Sequence, residues 1–142
     1  MRRFFAAFAL TIALTLLPVI APASSETIKL KADLAGTKEI PPTDSPGRGT
    51  ANLEYDTAKK VLVWTVTYSG LKAPATAAHI HGPSGPATNA GVVLPFQSPA
   101  SPIKGQATLT DAQAADLLAG RYYVNIHSST HPGGEIRGQI TR

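Results

Sequence analysis

All four histidines of this 142-residue chain lie in two short segments. His79 and His81 form an H-x-H pair in AAHIHGP, and His127 and His131 lie in NIHSSTHPGGEIRGQI. Imidazole nitrogens are preferred ligands of copper and zinc, and the affinity of such sites is highest for Cu(II). The chain has no cysteine, which excludes thiolate ligands and disulfides. These residue types and spacings predict an all-histidine metal site, most suited to copper, with zinc as the alternative.

The elements that carry the histidines predict the direction of their side chains. Alternate residues of a strand share a face, so His79 and His81 lie together while Ile80 faces the core. In RYYVNIHS, His127 lies on the face away from the core because the inward alternates are apolar, namely Tyr122, Val124 and Ile126. His131 follows in a Pro- and Gly-rich loop that can fold back toward His127. We expect the four imidazoles to converge on one outer patch; the alternative is that they are solvated polar residues.

Three polar residues near the second histidine segment are candidates for supporting roles. Glu135 and Arg137 are two residues apart on a strand and share a face. They are either an exposed ion pair or a carboxylate that orients an imidazole and an arginine that attracts an anion to the metal. Asn125 is expected to orient the surroundings of His127 or to close a local backbone hydrogen bond.

The rest of the chain reads as short strands and one helix. Period-2 alternation predicts strands over 27–34, 49–56, 61–68, 77–81, 92–97, 103–109, 121–128 and 134–141. Thr110 is a natural N-cap, Gln113 completes a capping box and Gly120 ends the helix near 111–119. This pattern favours an all-β fold, an antiparallel Greek-key sandwich or barrel of superoxide dismutase-like or immunoglobulin-like type.

The first 23 residues have the pattern of a cleaved signal peptide. Arg2 and Arg3 precede an apolar run, and Ala21 and Ala23 give the spacing that a signal peptidase accepts. We therefore expect a single domain over 24–142 that is secreted or periplasmic, with no membrane attachment after cleavage. A retained membrane anchor is the alternative, although the apolar run is short for a span.

Composition and motifs argue against other classes of function. Without Arg2 and Arg3 the formal net charge falls from +4 to +2, and no basic cluster marks a nucleic-acid surface. Ser128 and Ser129 lie beside His127, but no nucleophile elbow or orienting Asp accompanies them.

Three blocks of the chain resemble one known family. LAGTKEIPPTDSPGRGTANLEYD, AAHIHGPSGPATNAGVVLPF and LLAGRYYVNIHSSTHPGGEIRGQI are similar to the CHRD domain, which is named from chordin and also occurs alone in secreted microbial proteins. The similarity spans Leu34 to Ile140 and implies an extracytoplasmic β-sandwich-like domain. It does not imply a defined biochemical role.

A weaker resemblance is to the copper/zinc superoxide dismutases. HIH and GRYYVNIH look like the two strands that supply copper ligands there, which implies ligand roles for His79, His81 and His127. GGEIRGQI resembles the segment that bears the anion-guiding arginine, which implies that role for Arg137. The bridging histidine, the zinc loop and the disulfide have no counterpart, so His131 is a hypothetical fourth nitrogen.

Three functions remain open from the sequence. The first is a copper-binding domain with superoxide dismutase-like redox activity, whose partners are the metal ion and superoxide or another small anion. The second is a non-catalytic adhesion or protein-interaction module that holds no metal, with an unknown protein partner. The third is a structural zinc site.

Overall fold

A computed structural model describes residues 25–142, and the predicted signal peptide lies outside them. The described residues form one eight-stranded antiparallel sheet with one short α-helix. In chain order the strands are β1 Thr27–Ala35, β2 Arg48–Asp56, β3 Val61–Ser69, β4 Ala75–His81, β5 Val92–Pro95, β6 Ile103–Thr108, β7 Tyr123–Ser128 and β8 Ile136–Gln139, and the helix is α1 Asp111–Leu118. A short 3-10 turn, Gly36–Lys38, follows β1.

The sheet curls into a nearly closed barrel. Its strand order is β5-β4-β7-β8-β1-β2-β3-β6, so β5 and β6 are the two edges. These edges lie side by side, since Leu94 of β5 and Lys104 of β6 line one cavity and Trp64 stacks on Phe96 with ring centroids 5.0 Å apart. Across this seam the spatial order of four strands is β3, β6, β5 and β4. The first of them in the chain, β3, therefore lies beside the last, β6, which is a Greek-key arrangement. The all-β antiparallel prediction is confirmed.

Alternation of apolar and polar residues forms the core inside this barrel. β1 shows it fully, because every second residue from Ile28 to Leu34 is buried and the residues between them are exposed as far as Asp33. The core continues through the inward residues of the other strands, among them Leu53, Tyr55, Leu62, Trp64, Val66, Ile80, Val124, Ile126 and Ile136.

The helix has the predicted N-terminal cap. The Thr110 side chain accepts a hydrogen bond from the Gln113 backbone N–H, and the Gln113 side chain accepts one from the Thr110 backbone N–H. Leu117 is fully buried in the core cluster, so this short helix packs against the barrel core. No helix among residues 25–142 is long and apolar enough to cross a membrane.

One side of the barrel departs from the expected pattern, because its outer face is also buried. All six residues of β7 are buried, including Tyr123, Asn125 and His127, which point away from the core. Two loop regions lie over this face: Thr43 and Ser45 bond to Glu135, and Ala90 bonds to His81 and Tyr123. A layer of polar side chains therefore lies between sheet and loops, on the face that carries the histidines.

Candidate metal centre

The structure brings three of the four histidines together. His79 and His81 lie on β4, and His127 lies on the neighbouring β7, where it is paired with Ala77. Ala77 has a small side chain, which leaves room for the His127 ring beside it. One nitrogen from each ring lies within 4.8 Å of the others, so the three could hold a metal ion.

Backbone carbonyls fix the orientation of two of these rings. His81 Nδ1 lies 3.0 Å from the Ala90 carbonyl oxygen, and His127 Nδ1 lies 3.0 Å from that of Pro132. A carbonyl only accepts, so both Nδ1 atoms carry the proton and both Nε2 atoms keep a free lone pair. Hydrogen bonds of this kind set the tautomer of metal-binding histidines in proteins.

The ring nitrogens that could bind an ion lie close together. His81 Nε2 is buried and has no hydrogen-bond partner among the described residues. His79 Nδ1 and His127 Nε2 lie 3.1 Å apart, close enough to share a proton in the absence of an ion. A buried acceptor without a donor is unusual in a folded protein. A metal ion at this centre would satisfy His81 Nε2 and take the place of the shared proton.

The surroundings favour the neutral form of the three imidazoles. Burial lowers the pKa of His79, with further lowering by the charges of His127 and His81. Burial also lowers the pKa of His81 and of His127, and it outweighs the hydrogen bonds to Ala90 and Pro132, which act in the other direction. Neutral imidazole is the form that binds a metal. The electrostatics of the site therefore suit a ligand set.

The histidines are more buried than strand alternation on an outer face predicts. His81 is 8% exposed and His127 9% exposed, while His79 is partly exposed. Alternation correctly separates them from the core, but it does not reveal that loops cover this face. The group is therefore a recessed site whose most accessible member is His79, rather than a solvated surface patch.

His131 lies outside this group. Its Nε2 lies 3.8 Å from a carboxylate oxygen of Asp44, and its Nδ1 lies 3.8 Å from a carboxylate oxygen of Glu135. The Thr130 hydroxyl is 3.1 Å from the same Nδ1. The loop after β7 thus turns His131 toward two acids, and the expected convergence of four imidazoles is limited to three.

Glu135 is buried among hydrogen-bond donors and does not pair with Arg137. Its Oε1 accepts from the Ser45 hydroxyl and from the Lys72 backbone N–H, both at 2.6 Å. Burial raises the pKa of this carboxyl, but these donors, together with the Ser128 hydroxyl, lower it more. Glu135 therefore fastens the loops onto β8 and faces His131 rather than a member of the three-histidine group.

Arg137 is 1% exposed and stacks in a column of rings. Its guanidinium carbon lies 3.4 Å from the centre of the Tyr123 ring, and that ring stacks on His81 with centroids 5.1 Å apart. Its N–H groups donate to Asn89 Oδ1 and to the carbonyls of Gly85 and Thr88. Arg137 thus ties the loop after β4 to the sheet and presses Tyr123 against a histidine of the site.

Sequence patterns do not single out two further residues of this region. Alternation places Tyr123 on the outer face without a role, and Glu39 lies in a segment with no strand pattern. The Asn125 amide donates to both Glu39 carboxylate oxygens, at 3.1 and 3.2 Å. Burial raises the pKa of Glu39 to about 7, against the lowering effects of Asn125 and Arg137. Glu39 is a carboxyl group buried in the polar layer. Its burial depends on tertiary packing, so no local sequence pattern indicates it.

The antiparallel Greek-key barrel and the three converging imidazoles on its outer face together define the class of this protein. It is a β-barrel domain with a candidate metal site. The model of one family, the CHRD domain, matches residues 30–140. The chain therefore belongs to the CHRD family, as its sequence blocks indicate. No curated protein and no solved structure matches it.

Proposed function

We propose that this CHRD domain binds a copper ion through His79, His81 and His127. The supporting observation is the convergence of three imidazole nitrogens within 4.8 Å, with two rings held by backbone carbonyls. Ligands fixed before binding lose little entropy when the ion arrives. The group contains no thiolate or carboxylate, and sites made only of imidazole suit copper and zinc, with copper bound more tightly.

We also propose that the loaded site reacts with superoxide. Bound copper would supply one-electron chemistry between Cu(II) and Cu(I). The chain's own residues hold the ligand nitrogens, and the loops over β7 exclude bulk water from His81 and His127. His79 is the most exposed of the three, so a small anion would reach the site on its side. Arg137 is too deeply buried to meet this anion directly, and its field acts through the Tyr123 stack.

Export from the cytoplasm is part of the same proposal. The basic start, apolar run and A-x-A spacing of residues 1–23 support cleavage of a signal peptide before residue 24. A secreted or periplasmic location also suits a copper site without thiolates. Mass spectrometry of the protein released by the native host tests this directly, because it would show Ser24 as the first residue; a cytoplasmic chain that begins at Met1 would contradict it.

Metal analysis of purified variants tests the copper site. We expect one Cu(II) per chain after loading and dialysis, with nitrogen hyperfine structure in the electron paramagnetic resonance spectrum. The double variant His79→Ala/His81→Ala and the single variant His127→Ala should bind no stoichiometric copper. His131→Ala is the matched control, since it removes an imidazole outside the group and should keep the full copper content.

Each other result has a definite meaning. Full copper content in the double variant, in a protein that still melts cooperatively, would contradict the proposed ligands. Stoichiometric zinc without a copper signal would instead support the structural zinc site. No stoichiometric metal at all would support the adhesion or interaction module. For the redox proposal, the copper-loaded protein should consume superoxide faster than both the metal-free protein and the His127→Ala variant taken through the same loading and dialysis.

A further inference from the structure

A cavity lies on the outside of the barrel beside β8, apart from the histidines. It has a volume of about 450 Å³ and lies between β1, the 3-10 turn and β8, and none of the three histidines lines it. Its charged lining residues are Lys31, Asp33, Lys38, Glu39 and Arg137, and Ile40 and Pro86 contribute apolar surface. The volume is in the range of pockets that bind small molecules.

The charge of this cavity favours an anion. Three of its side chains are cationic, and two are acidic. One of the two acids, Glu39, is 6% exposed, and burial raises its pKa to about 7, so near neutral pH it is protonated in part of the molecules. Lys31 and Lys38 are both exposed at the opening. The cavity is thus net positive.

Arg137 in the wall of this cavity is a buried cation that has no carboxylate within ion-pair distance, although the Glu39 carboxyl is near enough to interact with its charge. It is 1% exposed, yet none of the ion pairs found in residues 25–142 includes it. Its hydrogen bonds go to neutral oxygens, those of Asn89, Gly85 and Thr88. Buried charges are usually paired, because an unpaired charge is costly to remove from water. Because Glu39 is only partly ionised near neutral pH, an anion in the cavity would add opposite charge near Arg137.

We propose that this cavity binds a small organic carboxylate that carries an apolar part. The carboxylate lies against Lys31, where the charge of the buried Arg137 attracts it from within the cavity wall, and the apolar part packs on Ile40 and Pro86. A free inorganic anion would use only the first of these surfaces, and a neutral apolar molecule only the second. This binding does not depend on the metal site, since the two sites share no lining residue.

Three related probes test the proposal on the metal-free protein by NMR titration of backbone amides. Benzoate has both the charge and the apolar ring, benzamide keeps the shape without the charge, and acetate keeps the charge without the ring. We expect benzoate to shift the amides of Glu39 and Ile40 saturably. It should bind about tenfold more tightly than benzamide, because a hydrogen bond to a charged group contributes about a factor of ten or more in affinity. Acetate should bind more weakly than benzoate by a similar factor, because it lacks the apolar ring.

Two lysines of β1 provide the matched variants. Lys31 lines the cavity, whereas Lys29 is exposed on the same strand and does not line it. Lys31→Ala should weaken benzoate binding about fivefold, and Lys29→Ala should leave it unchanged. Both side chains are exposed, so both variants should fold, and a thermal melt checks this.

The outcomes separate this proposal from the copper site. Equal affinities for benzoate and benzamide, or equal effects of the two lysine variants, would overturn the anion site. The His79→Ala/His81→Ala variant should bind benzoate like the unmodified protein. A failure to bind copper therefore leaves this result intact, and a failure to bind benzoate says nothing against the copper ligands.

Discussion

At the scale of single residues, Tyr123 holds the His81 ring of the proposed metal centre in place. Its ring lies between the His81 ring and the Arg137 guanidinium. Its hydroxyl accepts a hydrogen bond from the Ala90 backbone N–H at 3.1 Å, and the Ala90 carbonyl in turn accepts from His81 Nδ1 at 3.0 Å. Ring and hydroxyl therefore hold His81 in two ways, by stacking and through the Ala90 peptide.

The variant Tyr123→Phe separates these two contributions. It keeps the stacked ring but removes the hydroxyl that fixes Ala90, so the partner of His81 Nδ1 is less well placed. Loss of the hydrogen-bond partner of a ligating histidine typically lowers metal affinity about 10–100-fold. We expect copper affinity to fall about tenfold, and the unfolding free energy of the metal-free protein to fall by about 1 kcal/mol. Competition with a copper chelator measures the first, and urea denaturation the second.

Tyr122→Phe is the control for this change. Tyr122 is the neighbouring tyrosine, it faces the core, and its hydroxyl makes no hydrogen bond within residues 25–142. Its variant should keep the copper affinity. If both variants lowered copper affinity equally, the hydroxyl of Tyr123 would have no specific role in holding His81.

At the scale of elements, strand β8 connects the two halves of the barrel at a point where two backbones approach closely. It lies between β7 and β1, and its pairing with β1 joins the two halves of the sheet. At this junction a Cβ atom on Gly138 would lie 2.6 Å from the backbone oxygen of Asp33 and 2.9 Å from its carbonyl carbon. A glycine inside a strand often marks such a close approach of two backbones.

Gly138→Ala is therefore expected to destabilise the barrel. The new methyl group meets backbone that cannot turn aside as a flexible side chain can, and overpacking of this kind costs about 1–3 kcal/mol. The measurement is the urea midpoint of the metal-free protein. Gly133→Ala is the matched control, because no atom lies within 4 Å of its Cβ position. Equal midpoints for the two variants would show that β8 and β1 can separate without loss.

At the scale of the whole molecule, burial of ionisable groups makes stability depend on pH in two opposite ways. The raised pKa of Glu39 means that the folded protein holds a proton, between its ordinary value of 4.5 and about 7, that the unfolded chain has released. Stability from this group is full below pH 4.5 and is lost as pH rises toward 7. The lowered pKa values of the three histidines act the other way, because the unfolded chain takes up protons below pH 6.5.

Glu39→Gln isolates the first of these effects. Glutamine keeps the size and can still bond to Asn125, but it does not ionise. The stability difference between variant and unmodified protein should shift in favour of the variant as pH rises from 4.5 to 7, by on the order of 3 kcal/mol. Urea denaturation of the metal-free proteins at a series of pH values measures it. Glu54→Gln, which removes an exposed carboxyl on β2, is the control variant. A stability difference that does not change with pH for Glu39→Gln would contradict a buried titrating carboxyl.

Local patterns are sufficient to predict most of the fold. Period-2 alternation locates the strands, and the Thr110 and Gln113 capping box locates the helix, because both depend on residues close in sequence. The blocks that mark the family are likewise contiguous stretches of sequence and need no tertiary contacts to be recognised. The order of the strands, and the seam between β5 and β6, depend on contacts between distant segments, so the sequence predicts them only as a class of fold.

The amino-acid sequence alone specifies which residues can form the candidate metal site, whereas tertiary packing decides how they are used. Strand alternation places His79 and His81 on one face, and the same rule places His127 on the outer face of its own strand. Only the pairing of β4 with β7 brings the three within reach of one ion. His131 follows in a loop, whose path no periodicity predicts, and packing turns it toward Asp44 and Glu135. The burial of the outer face has the same origin, since loops fold over a strand only when distant residues bond to them.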